Sequence, residues 1–357
     1  MEKYQPPFEI TNQMITDVAA IAELAGRVTA TGNLSATPTL RRKNRIKSIY
    51  SSLAIEQNSL SEEQVTAVLN GKRVLAPPQD IKEVQNAFEI YERMDELDPY
   101  SINDLLTAHQ IMMRDMISEA GQFRTRNVGV VRGGEVVHMG TLPAYVPEAV
   151  EKLFKWVKDS DVHMLIKSCV FHYEFELIHP FADGNGRIGR LWHTLLLSKW
   201  APIFAWLPVE SLIYQHQAEY YQAFNASNAA GAGTIFIGFM LGILRDAFHE
   251  AYDTEVELIQ SVARDPVTRW RKIDAFLRDN GKITNSDVRQ LLGVSPATAN
   301  RILSQLTQEG RLVRTGSKKT AAYVFGSDDK LSEDDRIMLT ANRILNEHSS
   351  AFEKLGE

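Results

Sequence analysis

A chain of 357 residues can bury two or three separate cores, and its 44% apolar and 24% charged residues are ordinary for a water-soluble folded protein. No run of about 18 apolar residues occurs, and the start Met1-Glu-Lys-Tyr-Gln-Pro-Pro lacks a basic-then-apolar signal, so neither a membrane span nor secretion is expected. The single cysteine, Cys169 in an apolar run, cannot form an internal disulfide and reads as a buried structural thiol, and the cytoplasm is the expected compartment.

In chain order, Gly26 to Pro38 is rich in Thr, Gly, Ser and Asn and predicts a loop after an N-terminal helix. Arg41 to Glu56 reads as an amphipathic helix with Ile46, Ile49 and Leu53 on its apolar stripe. Ser52 and Glu56 lie four apart on it, hence on one face. Pro77-Pro78 starts a further helical stretch. Apolar residues recur at helical spacing over Ile81–Leu97, Ile102–Met116, Val146–Val157 and Leu191–Trp200. Asn127 to Met139 breaks this rhythm: two β-branched runs flank Arg132-Gly-Gly-Glu135, where paired glycines suit a tight turn. An isolated hairpin is marginal in water, so it must lean on helices and keep an outer edge free to pair.

The segment His179-Pro-Phe-Ala-Asp-Gly-Asn-Gly-Arg-Ile-Gly-Arg190 concentrates the chemistry. Pro180 predicts that the helix over Cys169–Ile178 ends near His179, and a second helix starts after a glycine-rich turn. Glycines let main-chain N–H groups approach a ligand, and a helix start favours an anion. Arg187 and Arg190, three apart, can face one side as cationic clamps. Asp183 at the rim suits Mg²⁺, which takes one or two carboxylates plus phosphate oxygens, and His179 can accept a proton near neutral pH. Spacing alone defines a phosphate-binding site and leaves open whether it is catalytic.

This segment resembles the signature of the Fic family, His-x-Phe-x-Asp/Glu-Gly-Asn-Gly-Arg-x-x-Arg, at every specified position, and the resemblance extends over roughly residues 40 to 250. It implies His179 as the general base for a target hydroxyl and Asp183 as the Mg²⁺ (or Mn²⁺) ligand. Gly184, Asn185 and Gly186 become an anion hole, Arg187 a phosphate clamp and Arg190 the γ-phosphate clamp. Phe181 becomes the apolar support under the loop. Glycine at 186, where the family's kinase branch has lysine, favours AMP transfer from ATP; phosphocholine transfer stays open. The hairpin corresponds to the family's target-aligning flap, with Gly121-Gln-Phe-Arg124 before it and Ala144-Tyr-Val-Pro147 after it. Val136, Val137, His138 and Met139 are the flap candidates, aligning a target segment by strand addition. Tyr220, Tyr221 and Asn228 resemble the lining of the adenosine pocket.

Ser52-Leu-Ala-Ile-Glu56 is similar to the family's inhibitory helix, Ser/Thr-x-x-x-Glu followed by Gly or Asn, although position 57 is Gln and Asn58 comes one step later. Its position N-terminal to the core implies inhibition in cis, with Glu56 paired to Arg190 in competition with the γ-phosphate. The same glutamate assists removal of AMP in some relatives, so reversal is open too.

Between Pro266 and Gly326 the chain carries eleven Lys/Arg and four Asp/Glu, +7, against −13 for the remainder. Lys282 to Gly293 reads as a short capped helix, Ala297 to Glu309 as a second, and Arg311 to Phe325 as strand, basic turn and strand. The pattern resembles a winged helix-turn-helix, with Thr298, Asn300, Arg301 and Gln305 exposed on the recognition helix and Lys318-Lys319 at the wing tip. DNA and protein docking are both open to it.

The expected fold is mainly α: a Fic-type helical bundle with a β-hairpin flap, plus a C-terminal winged helix-turn-helix. Residues 1–95 form an N-terminal helical region holding the inhibitory helix (about 40–57) and 96–250 the catalytic core. A linker helix (251–265), the winged helix (266–326) and a tail helix (327–357) follow. The expected activity is AMP transfer from Mg-ATP to a Ser, Thr or Tyr hydroxyl of a target protein, with self-modification and a homodimer left open and no membrane partner. The alternatives are a DNA-binding transcriptional regulator whose Fic domain senses nucleotide, and a Fic enzyme using another donor, by phosphocholine transfer or as a kinase.

Overall fold

The helical periodicities of the first 250 residues become a bundle in the computed structural model, which describes residues 4–31, 38–132, 135–264, 266–316 and 321–326. These divide into two units, 1–253 and 254–357. The first holds α1 (Asn12–Thr31), α2 (Pro38–Ile55), α3 (Glu62–Leu69), α4 (Pro78–Glu92) and α5 (Ile102–Met112), then the hairpin β1 (Gly129–Arg132) and β2 (Glu135–Met139). After it come α6 (Val146–Asp159), α7 (Met164–Ile178), α8 (Asn185–Trp200), α9 (Val209–Gln215), α10 (Gln217–Ala230) and α11 (Thr234–Arg264). Two helices stop earlier than their apolar patterns suggest. After α4 comes a tight turn over Met94–Glu96, and α5 closes before Asp115, whose φ of 62° is left-handed. Among the described residues no helix is long and apolar enough to cross a membrane.

α7 is buried nearly all round, with Leu165, Cys169, Phe171 and Phe175 in the core and Lys167, His172 and Glu174 buried beside them. α8 packs against it, with Gly189 close to His172 and Phe175 and His193 against His172, and its Ile188, Leu191, Trp192 and Leu195 are fully buried. Each large apolar side chain placed there contributes roughly 1.5–3 kcal/mol. The Cys169 thiol donates to Leu165 O at 3.1 Å and burial pushes its pKa up, the behaviour of a structural thiol.

The same core encloses His172 and His193. Burial lowers His193 from 6.5 to about 4, and burial, then His193 and Arg190, carry His172 well below its ordinary value. As pH falls from 6.5 toward 4, the unfolded chain takes up protons that the folded chain refuses. The contribution of these two histidines is therefore expected to be flat above 6.5 and to fall steadily below it, opposed by Glu176, whose carboxyl burial raises from 4.5 to about 7; thermal unfolding of the native chain and of His193→Phe across that range separates the two.

α2 is fastened along its length. Ile49 and Leu53 are buried, Asn44 Nδ2 donates to Trp206 O at 3.0 Å, and Ser48 Oγ donates to Glu210 Oε2 at 2.9 Å. Glu210 also accepts from Tyr91 and Thr194, so one buried carboxylate ties α2, α4, α8 and α9 together. The C-terminal turn of α2 is thereby fixed over the start of α8.

The hairpin strands are antiparallel. Val131 faces Val136 and Val130 faces His138, which leaves Val137 as the extra residue of a bulge. No third strand joins this sheet among the described residues, and the tip Gly133-Gly134 lies outside them.

The second unit comprises α12 (Pro266–Asn280), β3 (Ile283–Thr284), α13 (Asn285–Leu292), α14 (Pro296–Gln308), β4 (Leu312–Thr315) and β5 (Ala322–Phe325), with sheet order β3-β5-β4. Ile283-Thr284, expected at the start of a helix, instead forms β3, and Thr284 then caps α13 in a reciprocal box with Asp287. Ile273, Leu277, Val288, Ile302, Leu303 and Leu306 build its core. On α14, Asn300, Arg301 and Gln305 are exposed and Thr298 is half-buried. Lys318-Lys319 and the expected tail helix over 327–357 lie outside the described residues.

Candidate active site

α7 ends at His179, whose φ of 51° is left-handed and whose N–H still donates to Phe175 O at 2.9 Å. His179 Nδ1 lies 3.4 Å from Glu176 O, which favours the proton on Nδ1 and leaves Nε2 as the basic nitrogen. The loop beneath is closed by Asn185, whose amide accepts from Phe181 N–H at 2.8 Å and donates to Phe181 O at 2.9 Å. Phe181 is fully buried and stacks on His109, ring centroids 3.7 Å apart. His109 accepts from Gly121 N–H at Nδ1, 2.9 Å, so its Nε2 donates to Asp183 O at 3.0 Å. Burial lowers His109 from 6.5 to about 4, which keeps it neutral in this role.

α8 then begins at Gly184, whose φ of 83° needs glycine and whose Cβ, if present, would stand 2.7 Å from Met113 Sδ. The first bond of the helix runs from Ile188 N–H to Gly184 O, which leaves the N–H groups of Asn185, Gly186 and Arg187 without an acceptor inside the helix. These and the helix dipole make an anion cradle. What Asn185 offers an anion is its main chain, since its side chain is spent on the loop.

The two arginines differ. Arg190, 2% exposed, donates from Nε to Ser52 Oγ at 3.1 Å and from Nη2 to Ser52 O at 2.9 Å and Glu56 Oε1 at 2.7 Å. A Cβ on Gly186 would collide with that same Glu56 oxygen, so the carboxylate lies directly over the start of α8. Burial works against a charged Glu56, but Arg190, with Arg187 and His179 adding, holds its pKa below the ordinary glutamate value. Arg187 is paired with Glu83 of α4 and reaches Asp183 Oδ1 at 3.0 Å. Glu83 is itself held by Asn58 Nδ2 at 2.6 Å. Gln57 makes the helix exit with a left-handed φ of 68°, the conformation that Gly or Asn takes more readily, and Asn58 is thereby delivered to Glu83.

Asp183 is exposed and has one oxygen engaged by Arg187 and by Gly184 N–H at 2.6 Å. No group of three or more His, Cys, Asp or Glu side chains is assembled for a metal among the described residues. A single carboxylate beside an anion cradle fits Mg²⁺ carried in on phosphate oxygens rather than caged by protein alone. Tyr220 is buried, with its hydroxyl against His172 Nε2 at 3.1 Å, while Tyr221 is half-buried. Asn228 accepts from Tyr173 OH at 3.0 Å, and its buried Nδ2 has no hydrogen-bond partner among the described residues. Val136 to Met139 lie on β2, where only the backbone is described.

A Fic/DOC family model matches residues 97–197, and a winged helix-turn-helix DNA-binding model matches 271–313. The crystal structure of a Fic family protein from Desulfovibrio desulfuricans is 40% identical, with a TM-score of 0.69, over 91% of this chain and 99% of that one. The chain belongs to the Fic family. It is also 31% identical over 195 residues to protein adenylyltransferase fic-1 of Caenorhabditis elegans, covering 50% of this chain and 36% of that protein. Protein adenylyltransferase Fic of Nematostella vectensis is 25% identical over 192 residues, covering 50% of this chain and 42% of the other. The chain therefore spans well under half the length of these curated relatives.

Beyond the Fic motif the structure brings in Glu83, His109 and Glu176, which sequence reasoning passed over, and gives contacts to Asn58 and Arg124, which it had named only as flanking positions. The signal for Glu83 was present: it occupies the buried stripe of α4 with Val84, Ala87 and Ile90, and a carboxylate there needs a buried cation. His109 likewise shares the buried face of α5 with Leu105, Ala108 and Met112. Removing one partner of a buried pair costs about 3–5 kcal/mol. Glu83→Ala is thus expected to lower the stability of this Fic core by about that amount in urea denaturation, since both side chains are nearly inaccessible.

Proposed function

We propose that this Fic protein transfers AMP from Mg-ATP to a hydroxyl of a protein and is restrained in cis by Glu56. The observation that carries the reading is the convergence, at one helix start, of three N–H groups without an intrahelical acceptor, Arg190 and the His179 imidazole, with the Glu56 carboxylate, just past the end of α2, lying where an anion belongs. The target hydroxyl gives its proton to His179 Nε2 and its oxygen attacks the α-phosphorus. The bond from that phosphorus to the β-bridging oxygen breaks, pyrophosphate leaves, and a phosphodiester joins AMP to the target.

The Asn185, Gly186 and Arg187 N–H groups steady the charge on the phosphates, and Arg190, once released from Glu56, clamps the γ-phosphate. Asp183 would hold Mg²⁺, which supplies charge neutralisation on the phosphate chain when bound. The unpartnered Nδ2 of Asn228 is a ready donor for an adenine nitrogen. The hairpin edge is taken as the surface that aligns the target by strand addition. With its charge of +7, the segment Pro266–Gly326 is taken as a DNA contact, which loss of binding with rising salt would check.

Glycine at 186 is what separates this donor chemistry from the kinase branch. Glu56→Gly incubated with ATP labelled at either the α- or the γ-phosphate, with cell lysate as a source of target, tests the reading. Label from the α-position alone supports AMP transfer. Label from the γ-position means a kinase, and none from either means another donor or a nucleotide-sensing regulator.

A further inference from the structure

We infer that Arg124 is a positioning residue that locks the hairpin and His179 into one unit, so that a target strand laid on the flap meets the basic nitrogen in register. The inference rests on the adenylyl-transfer reading above. Arg124 is 3% exposed, and no carboxylate pairs with it among the described residues. Its Nε donates to His179 O at 2.6 Å and its Nη1 to Arg126 O at 2.8 Å. Its Nη2 donates to Ile178 O at 3.3 Å and also to Thr141 O. All four acceptors are main-chain carbonyls. Two close α7 and the loop that carries His179, while Arg126 lies just before β1 and Thr141 just after β2.

A cation buried without a counter-ion costs several kcal/mol unless dipoles replace water around it. The carbonyls at the C-terminal end of α7, which find no donor within the helix itself, carry the partial negative charge that does so. The main chain repeats the connection: Arg124 N–H donates to Pro180 O at 3.0 Å and Thr141 N–H to Ile178 O at 3.3 Å. At the other root of the hairpin a Cβ on Gly140 would stand 2.8 Å from Arg124 Nη2 and 3.2 Å from His179 Cβ, so these three residues are in mutual contact. His179 holds a left-handed backbone that its own chemistry does not favour, and the guanidinium on its carbonyl fixes the peptide that aims the ring. An ammonium on a lysine stem lacks the planar fork that reaches four carbonyls at once.

The test places Arg124→Ala and Arg124→Lys in the Glu56→Gly chain and measures AMP transfer, ATP affinity and amide hydrogen exchange. Transfer by the Ala variant is expected to fall by about 10²-fold in kcat, the scale of a misplacement near 1 Å. ATP affinity should be unchanged, because the α8 cradle is untouched. The Lys variant should recover little. Guanidinium ion well below denaturing concentration should restore part of the Ala variant's rate, where sodium chloride at equal ionic strength does not. Exchange should quicken only around residues 127–141 and 178–180.

An unchanged rate, or exchange that quickens throughout the unit with loss of ATP affinity, would overturn the inference; the second outcome makes Arg124 a folding residue. Absence of label in Glu56→Gly itself would sink the adenylyl-transfer reading instead, and the exchange pattern alone would then decide whether Arg124 couples hairpin and loop.

Discussion

In Glu56→Gly, incorporation of AMP label is expected to rise on the order of 10²-fold over the native chain, the scale that one preorganised donor at a reacting anion contributes. Arg190 makes three hydrogen bonds in the native site, and the shortest goes to the Glu56 carboxylate. The other two, to Ser52, hold the guanidinium in place when Glu56 is gone, so the clamp is vacated without being disordered. The fastening of α2 by Asn44, Ser48 and Leu53 means that relief needs only the carboxylate to move, not the helix to leave. Acid is not the natural trigger. The folded pKa of Glu56 lies below its ordinary value, so the pair is fully formed above the unfolded pKa and is lost only as pH falls through the lower, folded one. Measuring label in the native chain and in Glu56→Gly at neutral pH checks the magnitude.

His179→Ala in the Glu56→Gly background is expected to remove about 10²–10⁴ of the transfer rate, the usual contribution of a general base. ATP affinity should survive, since Arg187, Arg190 and the α8 N–H groups do not depend on the imidazole. A drop in kcat with nucleotide binding intact therefore separates loss of the base from loss of the fold. The loop supports this separation: Asn185, His109 and Phe181 brace its shape through contacts that do not include the His179 ring.

Much of this arrangement was legible because it is contiguous. His179 to Arg190 span the end of α7, one turn and the start of α8, and local rules for glycine, proline and helix starts suffice to read a phosphate cradle there. The pairing of Glu56 with Arg190 spans 134 positions, and only family resemblance could join them from sequence; the structure puts them 2.7 Å apart. What stayed hidden is the set of supports contributed by remote helices. Glu83 and His109 sit on apolar stripes where pattern reading counts only hydrophobes, so their polar partners across the bundle were not asked for. The side chain of Asn185 turned inward for a similar reason. A motif position can be required by the loop as well as by the ligand, and spacing does not distinguish the two. The short strand β3 was missed because Thr284 satisfies a helix cap and a strand pairing at once.

The central claim is that one loop performs AMP transfer with His179 as base and Glu56 as brake. The most direct measurement is incorporation of α-labelled ATP into protein by the native chain, Glu56→Gly and Glu56→Gly/His179→Ala side by side, with target-bearing lysate present. Strong label in Glu56→Gly, with little in the native chain and almost none in the double variant, is the predicted result. Equal label in all three, or label in the native chain matching that of Glu56→Gly, would contradict it.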